Sequence, residues 1–148
     1  MRSCYLCAMQ ILDGKKAAQS IKDELKLNVA QRIAEGKKAP HLAAILVGND
    51  GASETYVAAK VKACEDAGFI STLIRMNAET SEPKLMEQIE KLNNDPDIDG
   101  ILVQLPLPTQ INESNIINAI DAEKDVDGFH PVNVGRMTLG QATFISAT

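Results

Sequence analysis

The sequence predicts an α/β fold, a three-layer sandwich with a mostly parallel β-sheet and helices on both faces. Apolar runs of strand length alternate with longer segments of helical periodicity along the chain. The connections between these segments are short, as they are where parallel strands and crossover helices follow one another. The apolar residues are mainly aliphatic, with 3% aromatic residues and no tryptophan, which suits a core of Ile, Leu, Val and Ala.

Four segments have the pattern of helices. The first begins at Asp13 as N-cap, ends before Gly36 and carries Ile21, Leu25 and Val29 at four-residue spacing. The second is "SETYVAAKVKACEDAG", residues 53–68, which ends in a glycine. The third lies within "TSEPKLMEQIEKLNNDP", which opens with a capping-type serine and a proline, and the fourth is the short "NESNIINAIDA".

Three segments read as strands. "PHLAAILVG" is a continuous apolar run, typical of a strand buried on both faces, and "FISTLIRM" is a second strand. "DIDGILVQLPLP" is a strand ended by prolines, and "EKDVDGFHPVNVGRM" is predicted to be a loop leading into a last segment. Sites in such sheets form outside the carboxyl ends of the strands, where Asn49–Ser53, Gln104 and the Asp125–Asp127 loop are expected.

Charge and hydropathy exclude two classes of function. The net charge of −5 and the pI near 5.0 leave no basic stripe for nucleic-acid phosphates. No apolar run approaches the roughly 20 residues of a membrane span. At 148 residues the chain is long enough for one domain with a real core, and a cytoplasmic location is expected.

The first eight residues, "MRSCYLCA", are predicted to be a disordered leader, and Met9 could equally well be the natural start. Cys4 and Cys7 form a C-x-x-C that could be a redox pair or half of a zinc site, but no second pair follows. His41 and His130 each adjoin a proline and lack metal-ligand spacing, so they are interpreted as structural and no metal site is expected.

Phosphate-binding loops are not evident in the sequence. No G-x-G-x-x-G and no Walker loop occur, and the glycines of "GNDGAS" have the wrong spacing for a dinucleotide fingerprint. The glycines of this segment therefore indicate a turn rather than a phosphate loop.

Two lysines of the second helix are expected to have different surroundings. On a helical wheel at about 100° per residue, Lys60 falls beside Tyr56 and Ser53 on the half of the helix that faces the protein. Lys62 falls on the opposite side and is expected in solvent. A lysine in the position of Lys60 either extends along the edge of the core or lines a site, and the wheel leaves both open.

Three side chains could work with Lys60. Tyr56 precedes it by one helical turn, and such a phenol and ammonium pair can pass a proton near neutral pH. Gln104 ends a buried strand, where its amide could orient a lysine or a water, or could cap the following turn. Asp127 could accept two hydrogen bonds from a donor-rich heterocycle, or it could be a turn aspartate before Gly128.

Three segments together resemble a known family. "GNDGASETYVAAKVKACEDAGF", "DIDGILVQLPLP" and "KDVDGFHPVNVGRM" are similar, in order and spacing, to the bifunctional methylenetetrahydrofolate dehydrogenase/methenyltetrahydrofolate cyclohydrolases. "ILDGKKAA" fits the start of these enzymes, so the resemblance runs from about Met9 to Thr148. It implies a folate-binding catalytic domain at 9–128 and a connector at 129–148 into an NAD(P)-binding domain that this chain lacks. The chain is accordingly expected to be a fragment, a truncated gene product or a stand-alone remnant.

The resemblance also implies roles for individual residues. Lys60 corresponds to the catalytic general acid/base, and Tyr56 to the tyrosine that stacks on the folate. Ser53 and Gln104 correspond to the residues that hydrogen-bond around that lysine, and Asp127 to the aspartate that anchors the pterin ring. Three further positions fall where the family packs the aminobenzoyl part of the ligand: Val103, Leu105 and Pro106.

The reaction implied by the resemblance has two steps. In the first step, hydride leaves the methylene bridge of methylenetetrahydrofolate for NADP and gives a methenyl cation. In the second, water attacks that cation while a base removes a proton from the water. The resemblance also implies that the full-length protein is a homodimer. It places the reaction in one-carbon metabolism, which supports purine biosynthesis. This chain is expected to be inactive as a dehydrogenase. Two alternatives are a folate-binding module without turnover and a short-chain dehydrogenase, which also uses Tyr-x-x-x-Lys but places it after a glycine-rich loop.

Overall fold

Strands and helices alternate along the chain, as the sequence predicts. A computed structural model describes residues 13–146, so Cys4, Cys7 and the predicted leader lie outside the described residues. The elements, in chain order, are α1 (Gly14–Ala34), β1 (His41–Val47), α2 (Gly51–Asp66), β2 (Ile70–Met76), α3 (Glu82–Asn93), β3 (Gly100–Val103), α4 (Glu113–Ala119) and α5 (Pro131–Thr138).

In the described part of the chain the sheet has three parallel strands, in the order β2-β1-β3. Ile45 of the central strand β1 is in register with Ile74 of β2 and Val103 of β3. A single parallel bridge joins Ile101 to Asp125, with the Ile101 N–H donating to the Lys124 carbonyl at 2.7 Å. The chain around Asp125 is therefore held beside β3.

Alternate side chains of β1 pack into two separate cores, one on each face of the sheet. On one face Ala43, Ile45 and Val47 contact the buried apolar side chains of α3 and α4. On the other face Ala44 and Leu46 pack with Val57 of α2 and Leu102 of β3. The predicted three-layer α/β sandwich is confirmed, and the run "AAILV" is buried because helices cover both faces.

Helix α1 is less buried than its periodicity predicts. Asp13 caps it as expected, since the carboxylate accepts hydrogen bonds from the backbone N–H groups of Lys15 and Lys16. Of its apolar row, however, only Val29 is buried, while Ile21 is 58% and Leu25 40% exposed. Within residues 13–146, Val29 is thus the one residue of the predicted apolar row that packs into the interior. None of the helices in this range is long and apolar enough to cross a membrane.

The loop prediction for "EKDVDGFHPVNVGRM" is wrong in its second half. Residues Pro131–Thr138 form helix α5, which begins after His130 as N-cap and has Pro131 in its first turn. A proline there sacrifices no hydrogen bond, because the first backbone N–H groups of a helix have no partner within it. The short length and the exposed valines of this segment concealed the helix in the sequence.

Lys124 holds the carboxyl end of α3. Its ammonium group donates to the backbone carbonyls of Leu92, Asn93 and Asp95 at 2.9, 2.8 and 2.7 Å. The last carbonyls of a helix have no partner within it and carry the negative end of the helix dipole, so a cation there is stabilising. Lys124 directly precedes Asp125 in the sequence. Its hydrogen bonds to the end of α3 therefore fix the start of the segment that leads to the predicted site.

We expect Lys124→Met to lower the free energy of unfolding by about 1.5–3 kcal/mol, because it leaves three carbonyls without their charged donor. Lys91→Met is the matched control on the same helix, since Lys91 makes an exposed ion pair with Glu87 at 2.7 Å. Its loss should change stability by no more than about 0.5 kcal/mol. Urea unfolding of both variants measures this, and equal losses would show that Lys124 is only a surface residue.

Candidate functional site

A cavity of about 310 Å³ opens at the carboxyl end of β3, where the sheet order places sites in this class of fold. It lies between helix α2, the segment that follows β3 and the loop after Asp125. Five of its lining residues are predicted site residues: Lys60, Val103, Gln104, Leu105 and Asp127. Two more, Phe129 and Ser146, complete the lining.

Lys60 and Gln104 contact each other inside this cavity. The Lys60 ammonium donates to Gln104 Oε1 at 3.4 Å, and Gln104 Nε2 donates to the Leu105 carbonyl at 2.6 Å. The Gln104 backbone N–H donates to the Ile45 carbonyl at 2.9 Å, which ties the residue to the central strand. One amide thus bonds the following turn with its nitrogen and presents its oxygen to the lysine.

Lys62 has the surroundings that the helical wheel predicts. Its side chain is 75% exposed and forms an ion pair with Asp66 at 3.4 Å, one turn further along α2. Lys60, in contrast, is half-buried and lines the cavity. The prediction that these two lysines face different surroundings is confirmed.

Asp127 places a half-buried carboxyl group in the same cavity as Lys60. Burial raises the pKa of Asp127 above its ordinary value of 3.8; the Lys60 ammonium acts against this rise, and the Asp125 carboxylate adds to it. The desolvation that raises this pKa also strengthens any hydrogen bond that the carboxylate makes to a ligand. An acceptor and a cation thus face one cavity.

The turn itself is held by Asp125 rather than by Asp127. The buried carboxylate of Asp125 accepts hydrogen bonds from the backbone N–H groups of Gly128 at 3.2 Å and His130 at 2.8 Å. Gly128 has a φ of 71°, a conformation that glycine adopts without strain. The alternative for Asp127, a turn aspartate before glycine, is a role that the structure gives to its neighbour.

Three predicted site residues do not line the cavity. Tyr56 lies one turn before Lys60 on α2 and is 64% exposed. Ser53 is buried in the first turn of α2, where its backbone N–H donates to Asp50 Oδ2 at 2.8 Å. Pro106 follows a cis peptide bond after Leu105 and is exposed beyond the cavity.

Both histidines have local structural contacts. His41 Nε2 lies 2.8 Å from Thr72 Oγ1 across two strands, and His130 Nδ1 accepts the Val132 N–H at 3.2 Å as the N-cap of α5. Within residues 13–146, no group of three His, Cys, Asp or Glu side chains could hold a metal ion.

A second cavity, of about 380 Å³, lies at the opposite end of the strands. Its lining is almost entirely apolar: Pro40, His41, Leu42, Cys64, Phe69, Asp99, Gly100, Val126 and Phe144. Burial raises the pKa of the Cys64 thiol, which makes it less reactive as a nucleophile. Polar and charged side chains instead line the smaller cavity, which holds Lys60, Gln104 and Asp127.

Comparison with known proteins finds similarity over most of the chain. Residues 12–127 match the family model described as tetrahydrofolate dehydrogenase/cyclohydrolase, catalytic domain. The bifunctional protein FolD of Bacteroides thetaiotaomicron is 56% identical over 140 residues, which are 95% of this chain and 48% of that protein. FolD of Porphyromonas gingivalis is 52% identical over 139 residues. The chain thus spans about half the length of the curated relatives that it matches.

Solved structures agree in fold. A methylenetetrahydrofolate dehydrogenase from Bombyx mori superposes with a TM-score of 0.92 at 44% identity, over 95% of this chain and 48% of that one. FolD from Campylobacter jejuni superposes with a TM-score of 0.90 at 44% identity, over 94% of this chain and 49% of that one. A FolD from Trypanosoma brucei, described as complexed with NADP cofactor and inhibitor, superposes with a TM-score of 0.84 at 32% identity. The match covers 90% of this chain and 46% of that one.

Proposed function

Because the chain belongs to the tetrahydrofolate dehydrogenase/cyclohydrolase family, we propose that it binds tetrahydrofolate derivatives in the cavity between Lys60 and Asp127. In the whole protein this cavity belongs to the folate-binding half of an enzyme with two activities, methylenetetrahydrofolate dehydrogenase and methenyltetrahydrofolate cyclohydrolase. The observation that carries the proposal is the convergence of Lys60, Gln104 and Asp127 at the carboxyl end of β3.

Asp127 is the group that recognises the pterin ring. A pterin presents neighbouring N–H donors, and a carboxylate accepts two parallel hydrogen bonds from such an edge. Its half-buried position keeps water away from those bonds. Val103 and Leu105 supply an apolar wall for the aminobenzoyl part, and the exposed Tyr56, one helical turn before Lys60 on α2, offers a ring for stacking.

Lys60 is the general acid/base of the cyclohydrolase step. Its ammonium group lies in the cavity, where it can exchange a proton with the water that attacks the methenyl carbon. The Gln104 oxygen, 3.4 Å away, fixes the direction of the lysine side chain, and the Leu105 carbonyl fixes Gln104 in turn. A base with a fixed direction saves the orientation entropy of the proton transfer.

A dinucleotide does not fit the residues of this cavity. Among residues 13–146, Lys60 is the one cation that lines it, and this lysine interacts with Gln104 and Asp127 rather than being free for phosphates. The sequence has no glycine-rich phosphate loop. We therefore assign NADP, the cofactor of the family, to a part of the whole protein outside these 148 residues. A cytoplasmic location and a homodimer of the whole protein belong to the same proposal.

Asp127→Asn tests the proposed pterin contact. We expect the affinity for methylenetetrahydrofolate to fall by about 1.5–3 kcal/mol, the usual size of a hydrogen bond to a charged group, or roughly 10- to 150-fold. Calorimetric titration of the 148-residue chain measures it. Asp97→Asn, an exposed aspartate before β3, is the control and should bind as the unmodified chain does. Unchanged affinity in Asp127→Asn would refute the assignment.

The same variant should be more stable at neutral pH. Because the pKa of Asp127 is raised by burial, stability falls as pH rises from the ordinary value of 3.8 through the raised folded pKa. Above that range the ionised carboxylate destabilises the fold, and asparagine removes this cost. Urea unfolding should show a gain for Asp127→Asn at pH 7 that shrinks steadily towards pH 4. A loss of stability at pH 7 would contradict it.

A further inference from the structure

Helix α5 is held to the domain by an amide rather than by an apolar side chain. Asn133 is 1% exposed and is the only buried residue of α5. Its apolar neighbours on the helix are exposed by 42–44%: Val132, Val134 and Met137. A buried amide costs free energy unless its bonding groups are satisfied, so its partners show what it does here.

Each bonding group of Asn133 is used, and its partners lie in the segment before α5 and in the segment after it. Its Nδ2 donates to the Ala122 carbonyl and to Asp125 Oδ2, both at 2.9 Å. Its Oδ1 accepts from the Thr143 hydroxyl at 2.7 Å. One side chain thereby joins α5 itself, the segment between α4 and α5, and the segment after α5.

The bond to Asp125 reaches the functional cavity through the backbone. Asp125, 2% exposed, accepts from the Gly128 and His130 N–H groups with the same carboxylate that Asn133 holds. The turn closed in this way carries Asp127 and Phe129, which both line the cavity.

The segment after Thr143 also reaches the cavity. It packs on Gly128 so closely that a Cβ there would lie 2.7 Å from the Ser146 nitrogen. Ser146 itself is part of the cavity lining. Both loops that form the wall opposite Lys60 are therefore tied to Asn133, which does not line the cavity itself.

We propose that Asn133 is a positioning residue: through Asp125 it fixes the turn that presents Asp127 to the folate, opposite Lys60 and Gln104. The proposal rests on the proposed function of the cavity and extends it to a residue outside the cavity lining. It gives the satisfied amide a role in substrate binding that is separate from stability.

The test compares Asn133→Ala with Asn93→Ala in the 148-residue chain. Asn93 is a matched control, because its amide also joins two segments, through the Ala119 carbonyl at 2.8 Å and the Asp121 N–H at 3.0 Å, away from the cavity. At a temperature where both variants are folded, Asn133→Ala should bind methylenetetrahydrofolate about tenfold more weakly than the unmodified chain. Asn93→Ala should bind it with unchanged affinity, although its melting temperature falls.

Two further measurements separate positioning from general damage. Asn133→Ala combined with Asp127→Asn should bind no more weakly than Asp127→Asn alone, since both changes remove one contact. Carbon-13 NMR titration of the Asp127 carboxyl group needs no folate. Its midpoint should move down towards 3.8 in Asn133→Ala, because a loosened turn exposes the carboxyl group to water.

The outcomes distinguish the two proposals. A chain that binds no folate, or an Asp127→Asn variant with unchanged affinity, overturns the proposed function, and the NMR titration then decides the role of Asn133 alone. Unchanged affinity and an unchanged Asp127 midpoint in Asn133→Ala would reduce Asn133 to a structural residue. If Asn133→Ala does not fold, Thr143→Val removes only the hydroxyl that orients the amide and should shift affinity and midpoint in the same direction, by a smaller amount.

Discussion

Replacing Lys60 with methionine is expected to lower cyclohydrolase turnover by about 10²- to 10⁴-fold, the usual contribution of a positioned general acid/base. Lys62→Met on the same helix should leave turnover unchanged. Lys60 lines the cavity and contacts Gln104, whereas Lys62 is 75% exposed and pairs with Asp66. Methionine keeps most of the length of the lysine side chain, so the fold should survive both changes.

The assay needs an enzyme of the family's full length. We suggest joining this chain to the remaining half of FolD from Bacteroides thetaiotaomicron, of which the matched part covers 48%. Loss of methenyltetrahydrofolate absorbance then reports the cyclohydrolase step. Urea unfolding of each variant is the control for folding, and Lys62→Met should stay within about 0.5 kcal/mol.

Two results would change the interpretation. Equal losses of turnover in the Lys60 and Lys62 variants would contradict the helical-wheel assignment. Folate binding with no turnover even when Lys60 is present would favour the alternative of a folate-binding module. In that case Lys60→Met would alter affinity alone.

The central strand and its neighbours were predictable because their local signals agree with their burial. The run "AAILV" is uniformly apolar and lies in the middle strand, covered on both faces. The separation of Lys60 from Lys62 follows from helix geometry alone, since positions two apart on a helix point about 200° apart. Gln104 was identifiable because a polar amide directly follows a buried strand.

The features that could not be predicted from the sequence depend on tertiary contacts. Helix α5 has a single buried residue, Asn133, and a lone asparagine carries no periodic signal. Which aspartate of "DVD" closes the turn and which faces Lys60 depends on the bridge from Ile101 to Asp125, which is distant in sequence. Phe129 and Ser146 reach the cavity only because two loops pack together at Gly128.

The second large effect concerns the cofactor. The 148-residue chain by itself is expected to form no NADPH from NADP and methylenetetrahydrofolate. Hydride transfer requires the nicotinamide about 3–3.5 Å from the carbon that loses the hydride, with the correct orientation. Such placement needs groups that bind the dinucleotide phosphates. The sequence has no glycine-rich loop for this, and the described residues that line the cavity include no cation besides Lys60.

Absorbance of NADPH during incubation of the purified chain with both substrates decides the matter, and the fusion with the remaining FolD half is the positive control. Calorimetry on the same sample should still show folate binding, because Lys60, Gln104 and Asp127 are all present. Folate binding without NADPH would separate the two halves of the reaction physically: this chain recognises the carbon donor, and another segment places the hydride acceptor. Steady NADPH formation by the chain alone would instead require a nicotinamide site among these 148 residues and would overturn the assignment of NADP to another part of the protein.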